Sequence, residues 1–320
     1  ELSKVTMQQN KTVDFVISSN INRIGKYAFS GCEKLRATNG NWLNVPNTIV
    51  TIDDYAFENC SSIEKISVTS GTNYISPSAF NGCISLKTFH IIYGGNSDYF
   101  YMPTNSELFN KEQTKFIRLM PAYSGTEYTF PDTALEMVRE IGDYAFFECK
   151  ALKEIKLPEG LQSIGVGAFY RTGIKQLTIP GSVVKIDVID KSIKLSKPSY
   201  LKKFKRDSGA IYYEARATIK ASGKKAVTYK ASRITKIKAK TSKVTIKKGK
   251  TTKLQTRVYI SKKLKKGYLD PEILKFTTSN KKVVKVSSKG TIKGLKKGKA
   301  TVTVKLRTTG KTYKVNVKVK

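Results

Sequence analysis

One imidazole is available to this 320-residue chain, that of His90. Serine-histidine-aspartate hydrolysis, histidine-rich metal sites and imidazole proton transfer would all rest on it. It falls in the strand-like run Phe89-His-Ile-Ile-Tyr93, one residue off the apolar phase, the place of a solvated strand histidine rather than a general base. Asp53 and Asp54 form an adjacent carboxylate pair of the kind that shares acid–base work. Other segments of the chain carry Gly-Lys or Gly-Asp at the same turn positions, so capping or solvation is the simpler role. Cys32, Cys60, Cys83 and Cys149 offer a four-cysteine zinc site or two disulfides. Zinc sites use closely spaced cysteine pairs, and these are 28, 23 and 66 residues apart. Neither a P-loop, a G-x-G-x-x-G fingerprint nor an EF-hand loop occurs. The sequence therefore assigns no catalytic residue, no metal ligand and no cofactor.

What must position these residues is a repeat. Five segments align on an Ala-Phe pair: Ile24 to Phe29, Ile52 to Phe57, Ile75 to Phe80, Ile141 to Phe146 and Ile164 to Phe169. The Phe-to-Phe steps are 28, 23, 66 and 23, so the base period is 23. After each later Phe comes an L-x-x-L-like run: Ile63-x-x-Ile66-x-Val68, Leu86-x-x-Phe89-x-Ile91, Leu152-x-x-Ile155-x-Leu157 and Ile174-x-x-Leu177-x-Ile179. Alternation such as Ile66/Val68 has the strand period of two. A short strand with a turn-rich return at this period is the leucine-rich-repeat signature. Each coil leaves an apolar face that only the next coil covers, so the coils are expected to stack as a solenoid. The four cysteines then occupy one phase of the coil, three residues after each Phe, where the fifth repeat has Thr172. Small buried side chains filling one rung, or disulfides between neighbouring coils, both fit that phase.

The pattern I-G-x-Y-A-F-x-x-C-x-x-L-x-x-I-x-L-P resembles the BspA-like leucine-rich repeats of bacterial and protozoan surface proteins, and residues 141–158 match it almost letter for letter. Between Phe80 and Phe146, the stretch from Glu107 to Ile117 followed by Tyr128-Thr-Phe-Pro131 is similar to a variant repeat of that family, without Ala-Phe or Cys. Val183 and Ile186 begin one more coil without an Ala-Phe, which places the end of the solenoid near residue 189.

Charge marks a second material. Residues 1–183 carry 17 Lys and Arg against 18 Asp and Glu, while residues 184–320 carry 42 against 6, a net of +36. Ala300, Val302, Val304 and Leu306 alternate with polar residues, as do Tyr313, Val315, Val317 and Val319, the code of half-buried antiparallel strands. Residues 241–320 resemble the group 2 bacterial immunoglobulin-like domain. The carrying stretches are Val244 to Leu254, Thr277 to Val286 and Gly290 to Val304, with Phe276 where that family usually has Trp. The expected fold is thus mixed: a solenoid over 1–189, a basic β connector or cap over 190–240, and an all-β Ig-like sandwich over 241–320.

Two features offer binding. Tyr93, Tyr99, Phe100 and Tyr101 flank a Gly-rich insert between coils, either as a contact surface or as cover for the irregular coil that follows. Lys247, Lys248, Lys250, Lys296, Lys297 and Lys299 sit in glycine turns of the basic half and could meet polyanions, or simply keep that face solvated and its edges guarded. Of the 42 basic residues 37 are lysine, which favours diffuse contact over the Arg forks and stacking of nucleic-acid readers. Nucleic acid is accordingly an unfavoured partner. No apolar run approaches the ~18 residues of a membrane span. The first residue is Glu1, so a processed or trimmed product lacking its leader is expected. The family resemblances imply a secreted or cell-surface bacterial protein that binds a host or neighbouring-cell protein or glycan without catalysis. The alternative is a structural spacer held on an anionic wall polymer.

Overall fold

In the computed structural model each coil contributes two short strands, and the register between coils is fixed by the repeat isoleucines. The model describes residues 20–36, 42–92, 98–205, 210–220, 227–259, 267–269 and 273–320. Arg23–Ile24, Thr51–Ile52 and Tyr74–Ile75 pair in parallel, Ile24 on Ile52 on Ile75. On the returning side Leu43–Asn44, Lys65–Thr69 and Thr88–Ile92 pair in parallel, Leu43 on Ile66 on Phe89. All six side chains are buried. The same two ladders resume further on. Lys115–Leu119, Glu140–Ile141, Ser163–Ile164 and Lys185–Ile186 form one; Glu127–Tyr128 with Glu154–Ile155, and Gln176–Thr178 with Lys194–Ser196, form the other.

Between the ladders the Ala-Phe turn is built for stacking. Phe29 stacks on Phe57 with ring centroids 5.0 Å apart, Phe57 on Phe80 at 5.5 Å, and Phe146 on Phe169 at 5.1 Å. Each ring is carried by a backbone bond to the next coil: Phe57 N–H donates to Ala79 O at 2.8 Å and Phe146 N–H to Ala168 O at 2.7 Å. The turn requires left-handed backbone at the Tyr of the motif. Tyr27, Tyr55 and Tyr144 have φ of 59°, 57° and 54°, and Gly167 takes the position in the fifth repeat with φ 61°. That conformation costs a non-glycine residue about 1–2 kcal/mol.

The variant coil lacks an Ala-Phe but keeps the aromatic stack by another route. Leu119 N–H donates to Ala145 O at 2.7 Å, the bond made elsewhere by the motif Phe. The ring itself comes from Phe116, three residues earlier on the same strand, stacked on Phe146 at 4.7 Å. Between them Arg118 is turned inward and only 3% exposed. Its Nη1 donates to Pro77 O and Asn81 Oδ1 at 2.9 Å and to Tyr144 O at 3.2 Å, and its Nη2 to Phe80 O at 3.3 Å. One guanidinium thus ties the Phe80 coil to the Phe146 coil across the irregular one.

Parallel pairing continues past residue 189 as far as Ser196, where Leu195 lies beside Leu177. Alternating apolar residues suffice for that ladder; the Ala-Phe turn is not needed. The chain divides into two compact units, Glu1–Lys197 with Arg206–Tyr212 and Pro198–Lys205 with Tyr213–Lys320.

In the second unit Lys243–Ile246, Thr312–Val319, Gly298–Leu306 and Leu274–Thr278 form a four-stranded sheet. Thr251–Lys253, Thr291–Gly294 and Val284–Val286 form a three-stranded one. The two sheets pack as a sandwich: a Cβ on Gly294 would lie 3.0 Å from both Ile246 Cγ1 and Val319 Cγ1. Phe276 packs over Gly290, whose φ of 78° and lack of Cβ leave room for the ring. Strands N-terminal to residue 241 join this unit. Val227–Lys230 pairs with Ile211–Lys220, and Lys236–Ala239 pairs with Thr256–Tyr259.

Candidate functional site

The returning ladder of the C-terminal coils holds a depression of about 650 Å³, lined by Lys153, Glu154, Ile155, Gly173, Lys175, Gln176 and Thr178. Its size is that of a ligand-binding cleft. Strand alternation makes it: Leu152, Ile174 and Leu177 turn into the core, and the residues between them face out. Its floor is low because Gly173 sits against the coil below, where a Cβ would lie 2.8 Å from the carbonyl oxygens of Leu152 and Lys150. Two ammonium groups, one carboxylate, an amide and a hydroxyl around a half-buried Ile155 can hydrogen-bond a polar ligand of mixed charge. Of these residues the repeat pattern names Ile155 alone, as an apolar strand position, and it is half-buried at the floor of the depression. The others are outward positions of an otherwise regular pattern, and only the glycine at 173 distinguishes them.

The aromatic insert is separated by the fold. Phe100–Tyr101 pairs antiparallel with Glu107–Asn110, which pairs antiparallel with Lys115–Leu119. Phe100 is buried, Tyr101 is half-buried with its ring 6.1 Å from Phe109, and Tyr99 is exposed. Tyr93 lies outside the described residues.

Other chemistry-bearing residues bridge coils. Arg23 Nε donates to Asp53 Oδ2 at 2.6 Å, while Asp54 Oδ1 accepts from Ser76 Oγ at 2.5 Å. The two carboxylates therefore join neighbouring coils instead of capping their own turn. His90 is exposed, its ring 5.5 Å from Trp42 and its Nδ1 3.4 Å from Asn105 Oδ1. Glu107 is buried, accepts from Tyr128 Oη and Thr104 Oγ1, and burial pushes its carboxyl above the usual range. Among the described residues no group of three or more His, Cys, Asp or Glu is placed to hold a metal ion.

The four cysteines are buried free thiols. Cys60 Sγ lies 3.1 Å from Phe29 O and Cys83 Sγ 3.0 Å from Phe57 O, so each thiol donates to the coil before it. Burial pushes Cys60 far up, and Cys83 and Cys149 up to about 12. Thiolate is the reactive form. A thiol-specific chromogenic reagent at pH 8 should therefore find no fast-reacting cysteine in the native chain and four after unfolding without reductant. Two or fewer after unfolding would mean a disulfide.

The turn lysines divide. Lys247, Lys248 and Lys250 are exposed on a turn whose Gly249 N–H donates to Gly294 O at 2.8 Å, two residues before exposed Lys296 and Lys297. Lys299 instead lies on the four-stranded sheet, directly opposite Lys318. No helix among the described residues is long and apolar enough to cross a membrane.

Residues 2–117 and 122–215 match the BspA type leucine rich repeat region in six copies, and residues 233–317 match the bacterial Ig-like domain of group 2. No curated protein matches the sequence. Among solved structures, a leucine rich cell surface protein from Faecalibacterium prausnitzii is similar at 16% identity and TM-score 0.37, over 62% of this chain and 74% of its own. The pneumococcal vaccine antigen PcpA is similar at 16% identity and TM-score 0.34, over 54% of each chain. A leucine-rich repeat protein from Bacteroides ovatus is similar at 21% identity and TM-score 0.29, over 59% of this chain and 57% of its own.

Proposed function

We propose that this chain, which belongs to the BspA type leucine-rich-repeat family, is a non-catalytic binding or adhesion protein, secreted or held at a bacterial cell surface. The solenoid, residues 1–189, is its recognition face; the connector over 190–240 and the basic sandwich over 241–320 are its stalk or surface anchor. The single observation that carries this reading is the depression around Gln176 and Thr178, a polar cleft on a near-neutral solenoid. A host or neighbouring-cell protein or glycan is its ligand, with Tyr99 and Tyr101 adding contact surface. The exposed turn lysines, Lys247, Lys248, Lys250, Lys296 and Lys297, favour a second contact with an anionic wall polymer. In the whole chain, Gln176→Arg with Thr178→Arg should cut binding to mucin- or matrix-coated surfaces tenfold or more, although it adds positive charge. Binding that is unchanged or increased points to the alternative, a spacer retained by its lysines alone.

A further inference from the structure

Lysines on a strand usually guard an exposed edge, but Lys299, Lys305, Lys314 and Lys318 stand on strands that have no free edge, next to Lys243 on the outer strand. Thr312–Val319 and Gly298–Leu306 are the two central strands of the four-stranded sheet, each hydrogen-bonded on both sides. Lys299 stands directly opposite Lys318, and Lys305 directly opposite Lys275. Like charges directly opposed across strands cost stability. Residues 241–320 hold 25 Lys and Arg and two acidic residues, Asp270 and Glu272, which lie outside the described residues. No Asp or Glu among the described residues of that segment offsets the repulsion.

Over this face lies a depression of about 610 Å³ in which Lys243, Lys299 and Lys318 surround Thr245, Thr301 and Asn316. Its polar floor is held in place: Thr301 Oγ1 donates to Asn316 Oδ1 at 3.3 Å, and Thr301 N–H to Ser279 Oγ at 2.9 Å. Strand geometry places Lys318 roughly 5 Å from Lys299 and roughly 7–8 Å from Lys243, with Lys243 and Lys299 two strands apart at roughly 12 Å. The aromatics of these strands do not share the face, since Phe276 packs over Gly290 and the Tyr313 hydroxyl bonds Thr256 at 2.6 Å.

We infer that this sheet face binds a phosphodiester-linked polyol polymer, with the lysines on its phosphates and the Thr and Asn side chains on its hydroxyls. A phosphodiester carries one negative charge per linkage, and separate ammonium groups match such single charges as point charges. Densely sulfated chains and terminal phosphates favour bidentate Arg, and none of the three cations lining the depression is Arg. Single-stranded nucleic acid would need stacking platforms that the face lacks. The inference deepens the anchor reading of the basic unit and rests on it.

Immobilised poly(glycerol phosphate) is the probe, with the whole chain in ~0.15 M salt. K243Q/K299Q/K318Q should bind tenfold or more weakly, while K253Q/K285Q/K293Q, which removes the same charge from the exposed face of the three-stranded sheet, should lose less than threefold. The first triple should melt no lower than wild type, because it relieves opposed charges. Should it melt lower, K299Q alone must still lose about threefold, and no loss overturns the inference. Equal losses in the two triples also overturn it, in favour of a diffuse charge field. So does wild-type binding to a sulfated glycan or single-stranded DNA as tight as to the polymer. The anchor reading fails separately, if chains that bind the polymer are not retained on cells displaying it.

Discussion

Replacing Arg118 by Met lowers the unfolding free energy of the solenoid by about 3 kcal/mol or more, read from the denaturant midpoint at constant slope. Met keeps the apolar stem but ends short of the guanidinium, so the loss combines hydrogen bonding with a small void where the buried head sat. Pro77 O and Asn81 Oδ1 lose the Arg118 donor outright, while Phe80 O and Tyr144 O are left with the backbone N–H of Cys83 and Phe147 alone. Each buried acceptor left unpaired costs about 1–3 kcal/mol. Offsetting this is relief of the desolvation that lowers the Arg118 pKa. The balance stays unfavourable because the acceptors belong to two different coils, and no other side chain donates to all of them. Lys at 118 should recover only part of the loss, since one ammonium cannot span both coils as the planar fork does. A Met variant within 1 kcal/mol of wild type would show that the coils hold register without the pin.

The second large effect is expected at Phe146. Its ring stacks on Phe116 at 4.7 Å and on Phe169 at 5.1 Å, and meets the Tyr128 ring edge-on at 5.6 Å. It is fully buried. Phe146→Ala removes the middle of a three-ring column and should cost about 3–5 kcal/mol. Because each coil touches only its neighbours, the damage should be local. Amide exchange protection should fall from the Phe116 coil to the Phe169 coil while the coils of Phe29 and Phe57 keep theirs. Uniform loss along the solenoid would mean that the coils unfold as one unit.

Both residues show where sequence reading reaches and where it stops. Phe146 was legible, because a repeated Ala-Phe at fixed phase has no simpler explanation than a stack. The same phase placed the cysteines in one column. Phe116 was not legible as a member of that column: it precedes the expected position by three residues, and only the pairing of Leu119 with Ala145 shows that the coil has been re-phased. Arg118 reads as a solvated strand charge. Its burial follows from the irregular coil, whose departure from the repeat leaves carbonyls of two flanking coils pointing at one place. The left-handed Tyr positions were hidden too, because Tyr carries no glycine-like signal.

In the basic half the alternating strands were plain, and their register was not. Alternation tells which residues face out, whereas which lysines oppose each other depends on pairing. The turn lysines therefore stand out in the sequence, since glycines punctuate them, while Lys318 belongs to the ordinary wet face of a strand and Lys243 carries no signal of its own. The pairing of Lys236–Ala239 with Thr256–Tyr259 was likewise invisible, because nothing in a short basic strand names its partner.

The two proposed attachments differ in kind, one by shape and hydrogen bonding on a near-neutral solenoid and one by charge on a lysine-rich sandwich. The measurement that tests this most directly is a salt titration of whole-chain binding to two surfaces, one coated with mucin or matrix glycoprotein and one with poly(glycerol phosphate). From ~0.05 to ~0.5 M salt the screening length falls about threefold. Binding to the phosphate polymer should drop tenfold or more while binding to the glycoprotein changes less than twofold. A parallel collapse on both surfaces would contradict this, leaving the lysines as the only adhesive the protein has.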